Sequence, residues 1–112
     1  MSDKELLELA AKAAGLNRPI WLDYERAISY LGGGLTGPKS VLWNPLADDG
    51  DALRLVVKLR LLVDVPLETS EQVITVVVPR YLDVREPVDK DHFAATRRAI
   101  VRAAAEIGRA MR

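Results

Sequence analysis

The chain has 112 residues, enough to bury an aliphatic core without the disulfides or metal that chains below about 40 residues need. It has no cysteine and a single histidine, His92, which excludes disulfide scaffolds, thiol catalysis, sulfur-ligated zinc and multi-histidine metal sites. Sixteen basic residues balance sixteen acidic ones, so no overall field draws the molecule to nucleic acid or to an anionic membrane. Nearly half the residues are hydrophobic and 29% are charged, the balance of one globular domain over residues 1–112. No apolar run of signal-peptide length opens the chain, and no window approaches the roughly 20 apolar residues of a membrane span. These absences predict a cytoplasmic protein.

Ser2-Asp3-Lys4-Glu5 has the form of a capping box. Leu6, Leu9, Ala10 and Ala13 then recur at helical spacing, and Gly15 follows as a terminator. The spacing predicts a first helix over residues 3–14. Ile20, Leu22 and Tyr24 alternate with Trp21, Asp23 and Glu25, the period of a half-buried strand, with a short helical turn over Glu25 to Leu31 as the alternative. The glycines at 32, 33, 34 and 37, followed by Pro38, separate this strand from Val41-Leu42-Trp43. A β-hairpin with a long, glycine-rich tip is expected there.

Asn44-Pro45 stops the second strand, because proline cannot donate to a ladder. Asp48, Asp49 and Asp51 stand where a helix begins, complementing its dipole, with Asp48 able to cap it. Between Ala52 and Leu59 only Arg54 and Lys58 are polar, which predicts a helix buried on most sides and packed flat on a sheet. Leu61 to Val65 reads as a strand ended by Pro66, and 67–71 as a turn. Val73 to Val78 is a β-branched run, expected to be a central strand covered on both faces. Residues 80–90 alternate in charge around Pro87 and read as a surface loop. Asp91 caps a last helix over 92–111. Phe93, Ile100, Ala104, Ile107 and Met111 fall on its apolar side, and Arg97, Arg98, Arg102 and Arg109 on a solvated one. The resulting order is α-β-β-α-β-β-α. An α+β fold follows, with one four-stranded, mainly antiparallel sheet covered by helices in a layered sandwich.

Several motifs tempt an enzymatic reading. Gly32 to Gly37 matches G-x-G-x-x-G, but that fingerprint requires a helix to start next to the glycines. Pro38 and the strand-like Val41 to Trp43 follow instead. Gly32 to Ser40 nearly spells a P-loop, yet Pro38 removes an N–H from the phosphate cradle and displaces Lys39. Asp48, Asp49 and Asp51 lack the alternation and distant glutamate of a calcium loop. Helix capping accounts for them, with weak metal binding or a small enzyme built on the cluster as an alternative. His92 has no nucleophile placed beside it by any motif and reads as a solvated first-turn residue. No catalytic constellation and no cofactor site emerge. Arg97, Arg98, Arg102 and Arg109 form the one charge feature with a functional alternative, a salt-sensitive nucleic-acid contact. No aromatics interleave them, and a solvated helix face is the reading preferred.

Three segments carry a resemblance: residues 5–15 (ELLELAAKAAG), 43–55 (WNPLADDGDALRL) and 94–108 (AATRRAIVRAAAEIG). Together they resemble small bacteriophage and prophage proteins of the phage α-β-α sandwich family. The resemblance implies a layered fold and an accessory role inside an infected bacterium; it brings no activity, cofactor or catalytic residue. It also directs attention to Trp43, Asn44, Asp48, Asp49 and Asp51 as a protein-recognition surface, against the plainer reading in which Trp43 is core and Asn44 closes a turn. The expected partner is therefore a protein, with a homodimer included, and neither a membrane nor a cofactor is implied.

Overall fold

The computed structural model describes residues 1–35, 37–67, 72–79 and 82–111. Local sequence sets the helix boundaries much as expected. Helix α1 runs Asp3–Ala14, opened by Ser2, whose hydroxyl accepts from the Glu5 N–H at 3.1 Å, and closed by Gly15 at φ 69°. Only half of the capping box forms, because the Ser2 hydroxyl also lies 3.3 Å from the Glu5 carboxylate rather than Glu5 reaching the backbone. Helix α2 runs Asp49–Leu59 behind Asp48, which accepts from the Asp51 N–H at 2.8 Å. It ends at Arg60, a non-glycine residue in the left-handed region at φ 56°. Helix α3, His92–Ala110, starts at Asp91, which accepts from the Phe93 and Ala94 N–H groups.

The strands depart from expectation. Instead of one four-stranded sheet there are two three-stranded antiparallel meanders. The first is β1 (Ile20–Leu22), β2 (Ala27–Gly34) and β3 (Gly37–Trp43). The run expected as one strand breaks at residues 23–26, where Arg26 takes φ 50° and Leu22 pairs back onto Ala27. No helical turn forms over Glu25 to Leu31. The glycines expected at a long tip lie within the ladder: Gly32 pairs with Lys39, Gly33 with Pro38 and Gly34 with Gly37. A strand, β3, therefore follows the G-x-G-x-x-G run.

The second meander is β4 (Leu62–Asp64), β5 (Val73–Val78) and β6 (Leu82–Pro87). Strand β6 occupies most of the segment read as a loop. Asp83 and Arg85 form the outer face of an edge strand, while Val84 points inward, in one row with Val63 and Val76, and Glu86 on the same face reaches α3. Ile74, Val76 and Val78 are buried whereas Val73, Thr75 and Val77 are half-buried, so β5 packs fully on one face rather than two. Residues 68–71 of the expected turn, and 80–81 of the expected loop, lie outside the described residues.

The chain is thus an α+β fold in which a helix followed by a three-stranded meander occurs twice and α3 closes the series. Sheet β1–β3 meets α1 through β2, sheet β4–β6 meets α3 through β5 and β6, and α1 packs along α3. One apolar cluster runs through both halves, with Leu7, Ile28, Leu55, Ile74, Val76 and Val101 fully buried. The α1–α3 seam is lined by alanines and Gly108. A Cβ at Gly108 would stand 2.0 Å from the Leu9 carbonyl oxygen. The two helices touch backbone to backbone there.

Candidate functional site

The residues singled out in sequence divide between framework and surface. Trp43 is buried in the core. Asn44 closes the turn after β3: its amide donates to the Arg26 carbonyl at 3.1 Å, and its side-chain oxygen accepts from the Leu46 N–H at 3.0 Å. Asp51 accepts from the Asn44 N–H at 2.9 Å, and Asp48 caps α2. Asp49 reaches across to Arg97 at 2.7 Å. Trp43, Asn44, Asp48 and Asp51 do border one open depression of about 470 Å³, while Asp49 faces elsewhere. The three aspartates are engaged in three different directions, and among the described residues no group of three such ligands is placed to hold a metal ion.

The arginine row of α3 is partly solvated and fully paired: only Arg97 is largely covered, while the side chains of Arg98, Arg102 and Arg109 stay well exposed. Arg97 donates to the Leu46 carbonyl at 2.9 Å as well as to Asp49, and its side chain is only 18% exposed. Arg98 lies 3.3 Å from Asp3 and 3.6 Å from Glu86. Arg102 pairs with Glu86 and donates to the Arg85 carbonyl at 2.8 Å. Arg109 pairs with Glu106 at 3.5 Å. Each guanidinium meets a carboxylate, and three of the four tie α3 to another element: α2, α1 or β6.

His92 is exposed in the first turn of α3, as expected, with Nε2 2.8 Å from the Gln72 side-chain oxygen. The Thr96 hydroxyl donates to the His92 carbonyl at 2.7 Å.

The largest departure from expectation lies beside His92. Helix α2 carries two apolar stripes. Ala52 and Leu55 are buried and Val56 and Leu59 partly so, but Leu53 and Val57, one turn apart, are 62% and 70% exposed. The helix packs on α3 and the edge of α1 and is not laid flat on a sheet. Phe93, assigned to the apolar side of α3, is 70% exposed instead. It shares a helical face with Arg97 and Ile100. Between α2, β4 and the start of α3 these residues enclose a groove of about 470 Å³. Its floor is Ala52, Val56, Val63 and Ile100, and its lips are Leu53, Val65 and Phe93. The Asp49–Arg97 ion pair, Thr96 and His92 supply its polar rim.

The sequence held one signal for this surface. Between Ala52 and Leu59 there are six apolar residues, more than a single buried stripe on a helix of that length requires. The surplus pair, Leu53 and Val57, falls outside that stripe. Phe93 gave no such signal, because its spacing from Ile100 is that of a core position.

No family model, curated protein or solved structure matches the chain. Among the described residues no helix is long and apolar enough to cross a membrane.

Proposed function

We propose that the protein is a non-enzymatic protein-binding module, of the phage accessory kind that the sequence resemblance implies, and that it binds through the groove between α2, β4 and α3. The observation that carries this reading is the exposure of Leu53, Val65 and Phe93 around one recess, with Val57 exposed one turn on from Leu53. Single exposed apolar residues are ordinary, but a contiguous set rimmed by polar groups marks a contact surface. Two aliphatic lips and an aromatic around a recess supply the buried anchors that dominate protein interfaces. A nucleic-acid role for α3 would require Arg97, Arg98 and Arg102 to give up Asp49, Asp3 and Glu86, so the arginines favour the framework role.

The reading is tested by capture of the tagged chain from infected or lysogenic cells, washed at high salt, beside the variant Leu53→Glu. Apolar contacts survive salt whereas phosphate contacts do not. Protein retained by the wild type and lost from Leu53→Glu is the expected result. Equal capture by both chains, or nucleic acid released by salt in place of protein, would overturn it.

A further inference from the structure

We propose that the recess between α2 and the β1–β3 sheet binds a small organic anion, a flat apolar molecule carrying one carboxylate or phosphate group. This site is separate from the groove. Helix α2 gives Asp51, Arg54, Leu55 and Lys58 to the recess, at the spacing of one helix face, and Asp49, Ala52, Leu53 and Val56 to the groove.

Three features mark the recess. The first is an unmet donor. Trp43 is only 5% exposed, and its indole N–H has no hydrogen-bonding partner among the described residues. Yet no side-chain nitrogen among them is left both fully buried and unpartnered, so this N–H keeps an opening to the outside. Trp43 borders two adjoining hollows, the recess and the open depression after β3, and Arg54 lines each of them. Tryptophan N–H groups this deep usually find a partner, and here an incoming acceptor supplies it.

The second feature is charge. The α3 guanidinium groups are all paired, but in α2 Lys58 meets no carboxylate among the described residues. Arg54 approaches Asp51 only at 3.8 Å, beyond hydrogen-bonding distance. The Asp51 side chain is 15% exposed and accepts from the Asn44 N–H at 2.9 Å, which commits it to the framework. Two cations against one engaged carboxylate leave the recess positive, and a guanidinium fork matches the oxygens of a carboxylate or phosphate. The depression on the other side sets Glu25, Asp48 and Asp51 against Arg54 alone and repels an anion. The anionic group therefore belongs on the Lys58 side.

The third feature is shape. Tyr30, Val41 and Trp43 share one face of β2 and β3 and wall the recess opposite Leu55. Its volume of about 260 Å³ lies just under the roughly 300 Å³ at which ligand sites begin. A single ring bearing one charged group suits it, with the ring against the aromatic wall and the charge toward Arg54 and Lys58.

The test is a titration of the isotope-labelled full chain with benzoate, with phenyl phosphate and with neutral benzyl alcohol through the millimolar range, followed by nuclear magnetic resonance. The chain has two tryptophans, and the indole of Trp21 donates to Asp23 on β1, outside the recess. At least one anion is expected to move the Trp43 indole signal saturably and leave that of Trp21 in place, with benzyl alcohol binding about tenfold more weakly or worse. The anion that saturates first tells carboxylate from phosphate. Lys58→Gln and Arg54→Gln are each expected to weaken binding about tenfold, the loss of one charged contact. Both side chains are exposed, and the spectra of the variants report directly whether the fold is kept. Leu53→Glu, in the groove, is expected to bind the probe as the wild type does, so the two sites stand or fall separately. A Trp43 signal that neither anion moves would overturn the proposal. Equal binding of benzyl alcohol, or affinity unchanged in both cation variants, would do the same.

Discussion

Helices α1 and α2 hold equivalent places, each leading into a three-stranded meander, yet they use their apolar residues differently. In α1 Leu6, Leu7, Ala10, Ala11 and Ala14 are buried against the core, and Leu9 and Ala13 are partly so. In α2 only Ala52 and Leu55 are buried, and Leu53 and Val57 face out. The difference comes from α3. It runs along α1 so closely that no side chain fits at Gly108, whereas beside α2 its first turns, with Phe93 and Ile100, border an open groove. One half of the molecule buries its helical apolar face in the core, and the other leaves part of it exposed.

That contrast gives an order of expected effects. Gly108→Val places atoms into the Leu9 backbone and separates α1 from α3. Its expected cost is about 3 kcal/mol, read as a lower denaturant midpoint; a wild-type midpoint would mean the seam is looser than described. Leu7→Ala, in the fully buried face of α1, is expected to cost about 2–5 kcal/mol. The matching change in α2, Leu53→Ala, is expected to stay within about 0.5 kcal/mol of the wild type. Equal losses from these two leucine variants would erase the distinction between the helices. Arg97→Ala removes the donor to the Leu46 carbonyl and the partner of Asp49, and is expected to cost about 1–2 kcal/mol. The Asp49 side is largely exposed and adds little. A smaller gain, about 0.5 kcal/mol, is expected from Arg60→Gly, because the left-handed cap of α2 carries a side chain that strains it.

Much of this framework was legible in the sequence. The caps Ser2, Asp48 and Asp91, the terminator Gly15 and all three helices follow from short-range chemistry. The sheet count was not legible, for two physical reasons. At 23–26 the alternation of Ile20 to Glu25 continues through a turn that Arg26 closes in the left-handed region, so one strand reads where two exist. In β6 one buried apolar residue, Val84, carries the strand, and the charges around it, with Glu86 on its own face paired to α3, resemble a loop. The arginines of α3 misled in another way. Their helical spacing separates them from the apolar side, but their carboxylate partners, Asp3, Asp49 and Glu86, come from distant parts of the chain. Trp43 and Asn44 are where the plainer reading put them, in the core and the turn. Leu53, Val57 and Phe93 were read as core because apolar spacing records amphipathicity and does not record whether a neighbour arrives to cover it.

The central claim, that the uncovered face of α2 serves contact and not folding, is tested most directly by measuring two properties of Leu53→Glu together: its denaturant midpoint and its capture of protein from infected or lysogenic cells at high salt. The account predicts a midpoint close to that of the wild type with capture lost. A large fall in the midpoint, or capture equal to that of the wild type, would contradict it.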